Sequence, residues 1–177
     1  MLAGDRRKRR AGDGGASQNA PPYKGARGWP ALVAAACLAI LLTASGAGAS
    51  VTLTLSTSTL HFPNADPDTS PVINATENPL GVTVRVTGNP HGQCQLTALA
   101  AGDLRSGTNV IAISAVKWTA QGTGFVSGTL SSSSPQLMGQ WYGNTYEQGS
   151  QSFRLDNSWS YATGNYGQTV LYTLVTL

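Results

Sequence analysis

The chain has 177 residues, of which 41% are hydrophobic, 7% aromatic and only 11% charged, with a formal net charge of +3 and two cysteines. So few charges exclude a long charged disordered chain, and two cysteines exclude a disulfide-rich scaffold. The chain also lacks the long apolar runs of a multi-span membrane protein. The composition predicts one ordinary globular domain.

The first 49 residues have the pattern of an export signal. A basic leader, residues 1–30, precedes an apolar segment, residues 31–42, and the small residues that follow include Ala47-Gly48-Ala49, the A-x-A pattern that a signal peptidase requires. The apolar segment would span about 18 Å as a helix, less than the ~30 Å core of a bilayer. We therefore predict a signal peptide over residues 1–49, cleavage after Ala49, and a secreted or cell-surface location. The chain would meet the membrane only during export, through the general secretory route.

The predicted signal peptide carries the positive charge of the chain. Residues 50–177 contain four basic and six acidic side chains, so the remaining domain has a formal net charge of −2. A mildly acidic domain has no basic surface for phosphate backbones, so no nucleic-acid partner is expected. One cysteine, Cys94, remains; it is either buried as a small apolar side chain, which we expect, or free to pair with another molecule.

Residues 50–177 have the pattern of β-strands throughout. Apolar residues alternate with threonine and serine in 51–60, and valine alternates with polar residues in 82–87, as in strands with one buried face. Between turn sequences rich in Gly, Asn, Pro and Ser, further strands are predicted at 93–100, 110–119, 124–130, 137–142, 150–155 and 168–177. These seven to nine short strands predict an all-β fold, an immunoglobulin-like two-sheet antiparallel β-sandwich.

The first and last predicted strands, 51–60 and 170–177, bear on assembly. A strand at the edge of a sheet exposes N–H and C=O groups that accept another strand. The two strands either pair with a neighbouring molecule or close the edges of their own sandwich. The sequence leaves both interpretations open.

Oxygen-bearing side chains recur at alternate positions in one loop, a spacing that resembles the start of a calcium site. They are Asn64, Asp66, Asp68 and Ser70. Alternate oxygens in a curved loop converge on a hard cation, although the glycine and glutamate of a complete calcium loop are missing. The alternative is a turn stiffened by prolines, in which the Asp side chains accept hydrogen bonds from nearby backbone N–H groups. Apart from calcium, no cofactor is expected.

Most of the aromatic side chains follow residue 140, where they are mixed with Asn and Gln. Flat rings stack on the apolar faces of sugars while amides bond the hydroxyls, so a polysaccharide is a candidate partner. The rings predicted to contact it are Trp141, Trp159, Tyr161 and Tyr166. The same rings fit the core and corners of a sandwich equally well.

No catalytic residue is predicted. The chain contains two histidines, His61 and His91, and none of the nucleophile-elbow, metalloprotease, phosphate-loop or dinucleotide motifs. A secreted hydrolase would need one of these histidines beside a carboxylate in a cleft. We therefore expect a protein that is not an enzyme.

Three stretches resemble secreted bacterial surface proteins. They are Leu60-His-Phe-Pro-Asn-Ala-Asp-Pro-Asp after a Thr-rich strand, Lys117-Trp118-Thr119, and Gly164-Asn165-Tyr166-Gly-Gln-Thr-Val-Leu-Tyr-Thr-Leu. Together they are similar to pilin-like proteins of the spore coat U type and, more loosely, to WxL cell-surface domains. The resemblance implies an exported sandwich that assembles through its terminal strands with other copies of itself or other surface subunits. The expected function is that of a surface or extracellular structural protein, with a carbohydrate-binding module and a secreted hydrolase as alternatives.

Overall fold

A computed structural model describes residues 33–43 and 48–177 of the chain. The predicted all-β two-sheet sandwich is confirmed: in these residues the one helical element is a 3-10 turn, Ile113–Ala115. No helix in the described ranges has the length and apolar character needed to cross a membrane. The basic leader, residues 1–30, and the linker 44–47 before the predicted cleavage site lie outside the described residues.

The described residues form 13 strands, of which nine are four residues or longer. In chain order they are β1 (Val33–Thr43), β2 (Ser50–Leu55), β3 (Thr59–Phe62), β4 (Val72–Asn74), β5 (Leu80–Thr87), β6 (Gln93–Ala100), β7 (Leu104–Ser106), β8 (Asn109–Ile111), β9 (Val116–Gln121), β10 (Gly128–Thr129), β11 (Gln136–Tyr142), β12 (Thr145–Asp156) and β13 (Asn165–Thr176).

The first sheet has the strand order β11-β6-β13-β1-β3, with β7 beside β13 and β8 beside β7. The second sheet has the order β10-β9-β12-β5-β2, with β4 beside β12. Neighbouring strands are antiparallel, with the exception of β1 and β13, which are parallel. The sandwich is therefore antiparallel as predicted, with one parallel pair in the middle of the first sheet.

The core lies between the two sheets and is formed by the apolar side chains that alternate with polar ones along the strands. β5 buries Leu80, Val82, Val84 and Val86, and β6 buries every second residue from Cys94 to Ala100. The residues between them face outward, as the period of two requires. The expected burial of Cys94 is confirmed, and removal from water raises the pKa of its thiol to about 11.

The predicted strand 51–60 is two strands in different sheets. β2 pairs with β5 in the second sheet, β3 belongs to the first, and residues 56–58 cross between them. The Ser56 hydroxyl accepts a hydrogen bond from the Gly81 N–H at 2.9 Å, and the Thr57 hydroxyl accepts one from the Thr59 N–H at 3.2 Å. Such local hydrogen bonds to hydroxyl side chains replace the backbone hydrogen bonds of a continuous strand. They allow the chain to pass from one sheet to the other.

Two other predicted strands are shorter in the structure. The 3-10 turn Ile113–Ala115 divides the predicted strand 110–119 into β8 and β9. The predicted strand 124–130 is mostly loop, and β10 is its one regular part. Gly122 and Gly124 adopt positive φ angles of 113° and 77°, which lie outside the β region and turn the chain there.

The apolar segment that the sequence analysis assigns to the signal peptide contains β1, a strand in the middle of the first sheet. β1 runs parallel to β13 along its whole length, from Val33 opposite Asn165 to Thr43 opposite Val175. A continuous apolar run fits a strand enclosed by neighbours as well as it fits a signal segment. In the uncleaved chain, the sandwich therefore includes a strand that the predicted cleavage would remove.

Candidate strand-binding site

β1 occupies a slot, by which we mean the space between β3 and β13. Ala34 to Cys37 of β1 have partners on both sides, because they pair antiparallel with β3 and parallel with β13. The Leu38 N–H then donates to the Ser58 carbonyl at 2.8 Å, where β3 begins. From there to Thr43, β1 pairs with β13 alone. Because β1 lies between the other two strands in the sheet order, its removal would leave two facing strand edges without partners.

The floor of the slot is an apolar cavity between the two sheets. Leu38 lies opposite Val170 in the register and is packed, partly buried, against the core. The cavity that it closes measures about 10 Å³ and is lined with it by Leu60, Phe62, Leu104, Ile113, Val116, Leu130, Phe153, Val170 and Tyr172. The volume is at most that of a single water, so a leucine side chain fills the floor almost completely.

The β3 wall of the slot has a support that does not involve β1. The His61 N–H donates to Glu77 Oε2 at 2.7 Å, His61 Nδ1 lies 2.5 Å from Glu77 Oε1, and the Thr76 N–H donates to the His61 carbonyl at 2.8 Å. Partial burial acts to raise the pKa of Glu77, but the hydrogen bonds from the His61 ring and backbone outweigh it and lower that pKa. β3 is therefore held on the edge that faces away from β1.

The far wall of the slot is Phe153, which belongs to the second sheet and is held from two directions. The Asn78 side chain donates to the Phe153 carbonyl at 2.6 Å and accepts the Phe153 N–H at 2.8 Å. The Trp118 ring packs 6.2 Å from the Phe153 ring, and its indole N–H donates to the Val126 carbonyl at 2.7 Å. None of these contacts involves β1.

One buried polar pair lies beside the slot. The Tyr172 hydroxyl donates to Gln151 Oε1 at 3.1 Å, and both side chains are fully buried. Burial raises the pKa of Tyr172, which therefore stays protonated and donates. The Gln151 amide nitrogen makes no hydrogen bond within the described part of the chain. In the register, Ile40 of β1 lies opposite Tyr172.

The geometry of the slot suits an extended peptide. Main-chain groups of β3 and β13 bond such a peptide on its two edges, and the apolar floor selects a side chain of leucine size at one position. No known family model matches the chain, and no curated protein sequence matches it. This site could not be recognised from the sequence, because Leu38 lies in the segment predicted to be a signal peptide. An apolar run there is compatible both with a signal segment and with an enclosed strand.

The predicted calcium ligands lie in a turn in which one carboxylate oxygen of each aspartate already has a hydrogen-bond partner. Asp66 Oδ1 accepts the Asp68 N–H at 2.9 Å, and the Asp66 carbonyl accepts the Ser70 N–H at 2.7 Å. Asp68 Oδ1 accepts the Trp159 indole N–H at 2.8 Å. Within residues 33–43 and 48–177, no group of three or more His, Cys, Asp or Glu side chains could hold a metal ion. These bonds are the ones expected of a stiffened turn, and calcium binding by Asn64, Asp66, Asp68 and Ser70 stays a prediction.

The four rings predicted to contact a polysaccharide do not share one exposed face. Trp141 and Tyr166 are buried, and each donates to a backbone carbonyl, Trp141 to Thr123 at 2.8 Å and Tyr166 to Ala162 at 2.7 Å. Trp159 is 52% exposed and lines a small cleft together with the partly buried Tyr161. Tyr142 and Tyr146, which are not among the predicted contacts, are more exposed than Trp159. Polysaccharide binding stays a prediction, now centred on Trp159 and Tyr161.

Of the two histidines, His61 has a carboxylate partner and His91 lies in the turn between β5 and β6. The His61 side chain is 47% exposed on the outer surface of the first sheet and lines none of the cavities described above. In this position the pair with Glu77 supports β3, as described. The expectation that the protein is not an enzyme stays a prediction.

Proposed function

We propose that the protein is an exported, non-enzymatic structural protein of the cell surface or extracellular space, whose copies assemble by inserting a strand of one molecule into the slot of the next. The observation that supports this proposal is the position of β1. β1 belongs to the predicted signal peptide, yet it lies in the middle of the first sheet. Cleavage would therefore remove an internal strand and leave its position in the sheet empty.

An open slot is energetically unfavourable. Leu60, Phe62, Val170 and Tyr172 are each at most 3% exposed while β1 is present. Returning even two such side chains to water costs on the order of 3–6 kcal/mol, a large part of the 5–15 kcal/mol that stabilises a typical domain. The unpaired edges of β3 and β13 would also attract any available strand. The cleaved chain therefore has a strong driving force to acquire a replacement for β1.

The replacement that we propose is β2 of a second copy. β2 is the edge strand of the second sheet, and among the described strands its one partner is β5, whereas a strand in the slot gains a partner on both sides. It also carries the required side chains, because Val51, Leu53 and Leu55 face one way and threonines the other. Since the donated strand and the slot are different surfaces, each added copy presents a new slot, and the assembly grows head to tail into a fibre or layer.

The first prediction concerns export. When the full chain is expressed in a secreting bacterial host, the exported protein should begin at Ser50, as N-terminal sequencing would determine. Ala49→Leu should leave the 18.3 kDa precursor uncut, because the peptidase pocket admits only small side chains at that position. Gly48→Leu is the matched control, since the middle residue of the A-x-A pattern is unrestricted. Equal processing of both variants would place the cleavage elsewhere.

The second prediction concerns assembly of the cleaved chain from that experiment. Size-exclusion chromatography with light scattering, and electron microscopy, should reveal head-to-tail oligomers. Leu53→Asp should prevent them, because a charged side chain does not enter the apolar floor without a partner. Thr52→Asp, on the outward face of the same strand, should leave them intact.

The Leu53→Asp chain also tests the direction of growth. It keeps its slot but has no usable donor strand, so small amounts added to the wild-type chain should shorten the fibres. Leu53 is also buried in the core of its own molecule, at 6% exposure, so circular dichroism would first establish that the variant retains β-structure. A cleaved wild-type chain that stays a compact, folded monomer at all concentrations would be incompatible with the proposed function.

A further inference from the structure

We propose that β1 is a removable plug: in the uncleaved chain it closes the assembly slot from within, and cleavage after Ala49 is the event that makes the protein able to assemble. This inference rests on the proposed function and adds its regulation. The observations that carry it are the pairing of β1 on both edges of the slot and the seating of Leu38 over the cavity.

In the intact chain, the covalent link between β1 and β2 favours binding of β1 to the slot over binding of a strand from another copy. Only residues 44–49 separate the end of β1 from the start of β2, so β1 is held close to its own slot. A tether this short gives an effective concentration in the millimolar range, far above the micromolar concentration of other copies. A donor strand therefore does not displace β1 while the chain is intact.

Cleavage removes that advantage. β1 becomes a separate peptide that is diluted into solution, and its hold on the slot is uneven. It has two partner strands only as far as Cys37, and Ile40 is 45% exposed. The contacts that hold the peptide from both sides are therefore confined to residues 34–38. When the peptide dissociates on dilution, β2 of a second copy can enter the slot.

Leu38 is the position of β1 at which the slot requires an apolar side chain, because it lies against the apolar cavity. An aspartate there would place an unpaired charge among the apolar side chains of Leu60, Phe62 and Phe153. Ile40 is two residues along the same strand face, but water reaches it, so an aspartate is tolerated there. The two substitutions introduce the same charge into the same strand and differ only in whether the slot must bury it.

The first experiment uses these variants in the full, uncleaved chain, with mass measured by size-exclusion chromatography and light scattering. The wild-type chain and Ile40→Asp should remain monomers of 18.3 kDa. Leu38→Asp should form oligomers of several times that mass, although it is never cut. A folded Leu38→Asp chain that remains a monomer, or a wild-type precursor that assembles as readily as Leu38→Asp, would overturn the inference.

The second experiment keeps the inference testable if Leu38→Asp does not fold. A protease recognition sequence replaces residues 44–49 of the full chain, and the folded protein is cut in place. The cut chain should lose β1 and assemble. A tenfold excess of free peptide 31–43, made soluble by added N-terminal lysines, should keep it monomeric, whereas the same peptide with Leu38→Asp should not.

The outcomes of the second experiment separate the two proposals. If the cut chain assembles equally well with either peptide, the slot is not what β1 blocks, and the inference fails while the proposed function stands. If the β1 peptide stays bound after cutting, cleavage does not open the slot, and the inference fails in the same way. If mass spectrometry shows that the peptide has left and the folded domain remains a monomer, both the proposed function and the inference are wrong.

Discussion

Replacing Trp118 with alanine is expected to lower the free energy of unfolding of the full chain by about 3–5 kcal/mol. Trp118 is 1% exposed, packs against Phe153, and donates its indole N–H to the Val126 carbonyl. The space it leaves cannot be filled locally, because the residue against it is Gly128, where a Cβ would lie 2.6 Å from the indole ring. The substitution therefore combines lost apolar burial, a large cavity and an unpaired carbonyl.

Urea unfolding followed by circular dichroism measures this loss, and Trp159→Ala is the matched control. Trp159 is 52% exposed, so its removal should change the free energy of unfolding by no more than about 1 kcal/mol. Similar losses for the two variants would mean that the packing of Trp118 against Phe153 contributes nothing beyond that of a surface ring.

The second large effect is expected at Asn78. Asn78→Ala leaves the Phe153 N–H without its partner, at a cost of roughly 1–3 kcal/mol. It also removes one of the two donors to the Phe153 carbonyl, which keeps the Ala75 N–H at 3.0 Å. We expect a total loss of about 2–4 kcal/mol, from one unpaired N–H and one lost hydrogen bond to a carbonyl that keeps another donor. Because Phe153 forms the far wall of the slot, the loss would also loosen the cavity floor beneath Leu38.

Asn78→Asp divides the two bonds of Asn78. The carboxylate still accepts the Phe153 N–H, but its second oxygen takes the place of the amide nitrogen that lies 2.6 Å from the Phe153 carbonyl oxygen. Because two acceptor oxygens repel each other, the loss measured in the same unfolding experiment should be at least as large as that of Asn78→Ala. Asn144→Ala serves as the control, because Asn144 is exposed and accepts one backbone N–H, that of Asn89. A loss for Asn144→Ala as large as that for Asn78→Ala would contradict the role assigned to Asn78.

The sequence predicts best those parts of the fold where one face is apolar and the other polar. The valines of β5 alternate cleanly, and the strand extends only slightly beyond the predicted residues. Alternation does not report where a strand changes sheets, because that depends on hydroxyl bonds such as the one from Gly81 to Ser56. The alternation of apolar and polar residues therefore could not predict that residues 51–60 are divided between two sheets.

The candidate site could not be predicted for a different reason. Trp141 and Trp159 have similar polar neighbours in the sequence, yet Trp141 is buried with the Phe125 ring edge-on at 4.9 Å, while Trp159 is half exposed. That difference arises from distant parts of the chain. Likewise, Leu38 is significant only because β3 and β13 flank it, and the partner strands of a segment are not encoded in its local pattern.

The burial of Cys94 makes its reactivity a measure of how often the strands around it separate. In the chain without residues 1–49 it is the single cysteine, it lies in β6 between Trp141 of β11 and Thr176 of β13, and burial holds its thiol pKa near 11. Because the thiolate is the reactive form, an alkylating reagent modifies Cys94 only in molecules whose strands have momentarily separated. The rate of alkylation thus equals the fraction of opened molecules multiplied by the rate for a free thiol, without any added label.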